Sequence, residues 1–146
     1  MDLEWVERNP VTDIPKLTGS EYQAWRDEQL DLFERHCDAY GLTTARTVYK
    51  LCVGTGQRLG DYLKMSWNDF DGRYMAACQE KATTKLWVYC PKRLQAYFET
   101  PPRTGRHILA RNMTQPLGKR AVQKAVEDVR AALGLMHGEN RLVPRE

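Results

Sequence analysis

The sequence lacks the long apolar runs of membrane-spanning helices, since no stretch approaches the roughly 18 residues that suggest a span. Its first ten residues, MDLEWVERNP, carry acidic side chains where a secretory signal has basic ones, so a cytoplasmic location is expected. Internal repeats and low-complexity segments are also absent, which argues against a repeat array. The 146 residues, 42% hydrophobic and 28% charged, fit one globular domain with a hydrophobic core.

Metal-binding and nucleotide-binding motifs are absent as well. Four cysteines are widely and irregularly spaced, without a CxxC pair and away from the three histidines: Cys37, Cys52, Cys78 and Cys90. We therefore expect reduced, mostly buried thiols and no metal site. None of the patterns GxxxxGK[ST], HExxH, GxSxG and GxGxxG occurs, so neither a cofactor nor a small-molecule substrate is expected.

Positive charge is concentrated in the second half of the chain. Residues 1–72 hold 8 Lys/Arg and 13 Asp/Glu, whereas residues 73–146 hold 14 and 6, so the net charge of +3 divides into −5 and +8. A basic half of this size favours a polyanionic partner such as nucleic acid. Scattered, solvated surface charge is the alternative interpretation.

The hydrophobic pattern predicts an α+β domain, mainly α-helical with a small antiparallel β-sheet. Residues 1–19 contain two prolines and little periodicity, which indicates an extended arm. Ser20 and Gln23 are predicted to cap a helix that reaches about His36 and has Trp25 on its apolar face. The later predicted elements are a helix from Thr43 or Thr44 to Gly54 and Gly56, a helix from about Leu59 to Trp67, a hairpin of RYMAACQ and LWVYC, a helix KRLQAYFE after Pro91 and a short strand HILA. The last predicted helix runs from Gly118 to Leu133, with five residues inward: Val122, Ala125, Val129, Ala132 and Leu133.

Arg58, in the stretch GTGQRLGD, is the first candidate for a functional residue. A guanidinium can bind two phosphate oxygens through parallel hydrogen bonds, and the neighbouring glycines allow a tight turn that presents it. Asp61 follows by three residues, about one helical turn, and can hold that guanidinium in orientation. The alternative is an Arg58–Asp61 pair that only joins two helices.

Further candidates are basic residues of the second half. Lys81 and Lys85 lie in or beside the predicted hairpin turn, where an ammonium can act as a general acid toward a leaving alkoxide, although lysines at hairpin tips are commonly just solvated. A phosphate-contacting face, or else an ordinary charged face, is predicted from five residues: Arg103, Arg106, Lys119, Arg120 and Lys124.

Two stretches resemble the tyrosine recombinases, or phage integrases. TGQRLGDYLKMSWNDFDG, residues 55–72, is similar to the family's first arginine box, in which an acidic residue follows the arginine by three positions and a tryptophan-x-aspartate turn ends the box. QEKATTKLWVYCPKRLQAYF, residues 79–98, is similar to the lysine hairpin of that family. The arm WVERNPVTDIPK and the segment YQAWRDEQLDLF resemble the start of the catalytic domain, after its linker.

The resemblance implies roles for individual residues. Arg58 corresponds to the arginine that clamps the scissile phosphate, Asp61 to the acidic residue that supports it, and Lys81 to the general acid for the 5′-oxygen leaving group, with Lys85 the less favoured register. Members join DNA through a phosphotyrosine linkage, so neither ATP nor a metal is needed. They act as multimers on double-stranded DNA.

The chain departs from the family pattern in its last residues. The second box, histidine-x-x-arginine, is not found, and LVPRE would place Arg145 at its histidine position. All seven tyrosines lie at or before Tyr97, so none takes the place of the nucleophile, and Ala82-Thr83-Thr84 follows Lys81 where a glycine is usual. We therefore expect residues 1–19 to be an arm from a core-binding domain, and residues 20–146 to be a partial catalytic domain.

Such a domain is expected to bind DNA but not to cleave it alone. Two alternatives remain. One is a non-catalytic DNA-binding or interaction module derived from a decayed integrase. The other is a remnant without function that exposes the apolar stripe of its last helix and aggregates.

Overall fold

The structure is a computed structural model that describes residues 25–79, 84–101 and 103–135. Several predictions fall outside these residues: the arm 1–19, the Ser20–Gln23 cap, Lys81 and Arg145. Within them the chain is mainly helical with one two-stranded antiparallel sheet, which confirms the predicted α+β class.

The first two helices pack against each other and against the last one. Helix α1 spans Asp27–Ala39, and its start is fixed by the Arg26 backbone N–H, which donates to Gln29 Oε1 at 3.0 Å. Trp25 therefore precedes the helix, contrary to the prediction, and packs edge-on against Phe33 with ring centroids 5.3 Å apart. Helix α2 spans Thr43–Thr55 and ends at Gly56, whose φ of 63° lies in the left-handed region that glycine adopts readily.

Helix α3 spans only Leu59–Leu63, and a 3₁₀ turn follows at Trp67–Asp69. The predicted continuation to Trp67 is wrong because this backbone pairs elsewhere. Ile108 N–H donates to the Met65 carbonyl and Trp67 N–H donates to the Arg106 carbonyl, each at 3.1 Å. The predicted strand HILA is likewise reduced to isolated bridges, which pair Ser66 with His107 and Ala110 with Pro116.

The hairpin forms as predicted from strands β1, Tyr74–Cys78, and β2, Lys85–Tyr89. Its register runs from Tyr74 opposite Tyr89 to Cys78 opposite Lys85. Met75 and Ala77 are buried in the core, and alternation turns Tyr74, Ala76 and Cys78 to the outer face of the sheet, where Ala76 is also buried. Residues 68–72 form the turn ahead of β1, as their composition predicts.

The remaining helices complete the core. Helix α4 spans Lys92–Tyr97 after Pro91, and helix α5 spans Lys119–Ala132. Val122 and Val129 are buried as predicted and Ala125 is partly buried, whereas Ala132 is exposed. Helices α2 and α4 cross so closely that a Cβ at Gly54 would lie 2.6 Å from Leu94 Cδ2. The main core joins α2, α3, the sheet, α4 and α5, with Leu51, Met65, Met75, Leu94, Phe98 and Val122 among its buried residues.

Candidate functional site

Arg58 lies at the N-terminus of α3, in a turn held by several polar contacts. Thr55 Oγ1 donates to the Leu51 carbonyl at 2.6 Å, and Gly56 then reverses the chain. The Arg58 carbonyl accepts the N–H groups of Asp61 and Tyr62 at 3.0 and 3.1 Å. The Arg58 side chain is exposed, so its guanidinium is presented to solvent from a backbone that is fixed on both sides. We call residues 55–58 the arginine turn.

Asp61 lies in α3, three residues after Arg58, and is only 4% exposed. A carboxylate this deeply buried requires polar partners, and Asp61 does take part in a polar or electrostatic interaction. The next residue, Tyr62, is equally buried, and burial raises the pKa of its hydroxyl. Its phenol therefore stays protonated at neutral pH, which suits a core residue better than a nucleophile.

A pair of glutamines joins the arginine turn to the end of β1. Gln79 Nε2 donates to Gln57 Oε1 at 3.3 Å, a side-chain contact between residues 22 positions apart. Gln57 directly precedes Arg58, and Gln79 directly follows β1. The structure thus brings together the two sequence boxes on which Arg58 and Lys81 lie, although Lys81 itself is outside the described residues.

Lys85, the alternative lysine, opens β2 on the outer face of the sheet. Its Cα lies opposite that of Cys78, and its Nζ is 5.8 Å from the centroid of the Trp87 ring. The outer face also carries Tyr74 and Tyr89, whose rings meet at 5.6 Å, and Trp87 is 60% exposed. The Lys85 ammonium therefore lies next to a group of exposed aromatic side chains.

Arg103 is placed apart from the arginine turn. Its guanidinium carbon lies 4.5 Å from the centroid of the Trp67 ring, and its side chain lines a groove of about 410 Å³ with Gly72 and Lys92. Gly72 precedes β1, whereas the glutamine contact is at the end of that strand. Five residues of strand span about 17 Å, so these two contacts mark opposite ends of β1.

The other predicted basic residues differ in how far their charge is compensated. Arg106 is exposed, while its backbone is paired with Trp67 and Met113. Lys119 and Arg120 are exposed in the first turn of α5, which contains no acidic residue. Lys124 Nζ lies 2.9 Å from both carboxylate oxygens of Asp128, so its charge is locally paired.

Sequence reasoning did not single out the glutamine pair, because an amide carries no charge that would mark it as a functional group. The only available signal was position, since each glutamine lies inside one of the two boxes, within two residues of the charged side chain. In the described part of the chain, no group of three or more His, Cys, Asp and Glu side chains is arranged to hold a metal ion. None of the described helices has the length and apolarity needed to cross a membrane.

Comparison with solved structures identifies the fold. A lambda integrase dimer bound to a COC′ core site matches with a TM-score of 0.64 and 20% identity, over 81% of this chain and 36% of that chain. The XerA recombinase matches with a TM-score of 0.63 and 11% identity, over 84% of this chain and 46% of that one. The lambda integrase catalytic core matches with a TM-score of 0.61 and 24% identity, over 77% of this chain and 70% of that one.

The described residues therefore have the fold of the tyrosine recombinase catalytic domain. The chain spans less than half the length of the integrase dimer subunit and of XerA. By sequence, neither a family model nor a curated protein matches it.

Proposed function

We propose that the chain is part of the catalytic domain of a site-specific DNA recombinase and binds a DNA phosphate through Arg58. The observation that carries the proposal is the glutamine contact, which places the arginine box beside the hairpin box within a recombinase fold. An exposed guanidinium on a fixed turn is the kind of group that clamps a phosphate diester.

The chemistry proposed for this site follows from its residues. Arg58 donates parallel N–H bonds to the non-bridging oxygens and stabilises the charge that develops on them in the transition state. Asp61, buried about one helical turn further along the chain, supports Arg58. Lys81 supplies the proton to the leaving 5′-oxygen.

Cleavage requires more than these three side chains. The resemblance implies a second arginine and a nucleophilic tyrosine, and neither role is assigned to any residue from 1 to 146. We therefore expect these 146 residues to bind DNA without cutting it. Action as a multimer is part of the same proposal, since the integrase match is a dimer on its DNA site.

The test is duplex DNA binding by Arg58 variants, measured by fluorescence anisotropy at low and moderate salt. Arg58→Ala should weaken binding about tenfold, the loss expected from one charge-assisted contact. The affinity of Arg58→Lys should lie between those of the parent and of Arg58→Ala, because an ammonium keeps the charge but not the bidentate geometry. Arg35→Ala is the matched control, an exposed arginine on α1 in the acidic half, and should bind as the parent does.

Two results would contradict this assignment. Equal affinity of Arg58→Ala and the parent would remove Arg58 from the DNA site. If Lys119→Glu abolished binding at the same time, the protein would be a non-catalytic DNA-binding module that uses α5. No binding by the parent at either salt concentration would reject DNA as the partner of these residues.

A further inference from the structure

We propose that Gln57 is a positioning residue, whose side-chain amide holds the arginine turn and the end of β1 in one fixed arrangement. The inference rests on the proposed function, since it concerns how Arg58 meets its phosphate. It is carried by a continuous set of hydrogen bonds and not by any charge.

The Gln57 amide uses its donor and its acceptor at the same time. Nε2 donates to the Thr55 carbonyl at 3.3 Å, while Oε1 accepts from Gln79 Nε2 at 3.3 Å. The Gln57 backbone N–H also points to Thr55 Oγ1 at 3.4 Å, and Thr55 is itself anchored to the Leu51 carbonyl. The Gln57 side chain is therefore held on one side by Thr55 of α2 and on the other side by Gln79 after β1.

The end of β1 needs such a contact. Met75 and Ala77 anchor the strand in the core, but the last ladder pair among the described residues is Cys78 with Lys85. Gln79 lies one residue beyond this pair and outside the strand. Its bond to Gln57 holds its side chain at a position two residues before Lys81 in sequence.

The chemistry of the contact calls for an amide. Glutamate at position 57 would keep the acceptor for Gln79 but lose the donor to Thr55. Leucine has a similar size and can do neither. Asparagine is one methylene shorter, so it cannot make both contacts from the same backbone position.

The experiment measures how much of the DNA affinity depends on Arg58 in four backgrounds: parent, Gln57→Leu, Gln79→Leu and the double variant. In the parent, Arg58→Ala should weaken binding about tenfold. We call the ratio of the two affinities, with and without Arg58, the Arg58 factor. We expect the Arg58 factor to fall to about threefold in each single glutamine variant. It should fall no further in the double variant, because both changes break the same bond. The factor is measured with the duplex DNA and salt series used for the Arg58 variants.

Gln95→Leu is the matched control. Gln95 Nε2 donates to the Cys90 carbonyl at 2.6 Å, another half-buried glutamine bond, but at the opposite end of the sheet. It should leave the Arg58 factor unchanged. A charge pair made by Gln57→Glu with Gln79→Lys replaces the link between these two positions but still lacks the donor to Thr55. It should therefore restore part of the lost Arg58 dependence, a rescue that general loss of stability would not produce.

A second readout does not involve DNA. A nitroxide spin label on Cys78, the exposed cysteine next to Gln79, reports local motion at the end of β1. Its spectrum should sharpen in Gln57→Leu and Gln79→Leu and stay unchanged in Gln95→Leu. Unchanged spectra in all three variants would overturn the proposal even if Arg58 proved not to bind DNA. Sharper spectra with an Arg58 factor that stays tenfold would also overturn it, by showing a contact that orders the strand without positioning Arg58.

Discussion

The four thiols have surroundings different enough to give them different reactivities. Burial raises the pKa of Cys37 and of Cys90 from 9.0 to about 11, while Cys78 is exposed at the end of β1. A raised pKa lowers the fraction of reactive thiolate near neutral pH. We expect iodoacetamide at pH 8 to modify Cys78 first, as read by peptide mass spectrometry.

The unfolded protein provides the control for this experiment. In denaturant, all four cysteines should react at similar rates, since their environments become equal. Modification of Cys37 or Cys90 in the folded protein as fast as Cys78 would contradict the burial of Cys37 in α1 or of Cys90 directly after β2.

A second residue-scale prediction concerns two buried hydroxyl groups. Thr47 Oγ1 and the Tyr97 hydroxyl lie 2.6 Å apart and join α2 to α4. Removing either group leaves the other buried without its partner, which costs about 1–3 kcal/mol. Thr47→Val and Tyr97→Phe should each lower the free energy of unfolding measured in urea. The double variant should cost clearly less than the two single variants together, and full additivity would show that the contact contributes nothing.

At this scale the sequence was informative about charge and silent about geometry. Arg58 and Asp61 could be singled out because a guanidinium and a carboxylate three residues apart have obvious chemistry. Gln57 could not, because its role depends on Gln79, which is distant in sequence and reaches it only through the fold. The sequence also gives no sign that the Arg103 guanidinium lies over the Trp67 ring, because the two residues are 36 positions apart.

Among the elements, the turn before the hairpin depends on pH. Asp71 Oδ1 accepts the N–H groups of Tyr74 at 2.7 Å and Arg73 at 2.9 Å, and these bonds hold the pKa of the carboxyl below its usual 3.8. A carboxyl with a lowered pKa stabilises the folded state above its unfolded pKa, and this contribution is lost as pH falls through the folded value.

We therefore expect the hairpin to loosen below about pH 4. The protection factors of the Arg73 and Tyr74 amides, which compare the measured exchange rate with the intrinsic rate at the same pH, should fall in this range. Asp71→Asn should flatten this dependence, because its amide does not titrate in this range. An unchanged pH profile in Asp71→Asn would show that another group controls the turn.

Elements governed by local pattern were predictable, and those governed by distant pairing were not. Helices α2 and α5 and both strands follow from apolar spacing and turn residues. The early end of α3 does not, since Met65 and Trp67 give their backbone groups to Ile108 and Arg106, some 40 residues away. The same pairing explains why HILA, which reads as a strand, forms only isolated bridges.

For the whole molecule, the division of charge predicts salt-dependent binding. Each phosphate contact that is lost should lower the slope of log affinity against log salt by about one. Lys119→Ala and Arg120→Ala should show this change if α5 faces the duplex. Lys124→Ala is the matched comparison on the same helix, and its effect should be smaller because Asp128 already compensates its charge. If all three variants kept the slope of the parent, the DNA would have to bind elsewhere on the protein.

The crossing of α2 and α4 at Gly54 has a consequence for how such sequences diverge. A single methyl group at position 54 would meet Leu94 Cδ2 at 2.6 Å, so residue 54 can become larger only when the Leu94 side chain rotates, residue 94 becomes smaller or its helix moves away. The side chains at positions 54 and 94 therefore occupy the same limited space between the two helices. Among homologues with this crossing, glycine at 54 should accompany a large residue at 94, and alanine at 54 should accompany a smaller one. The two positions should therefore covary.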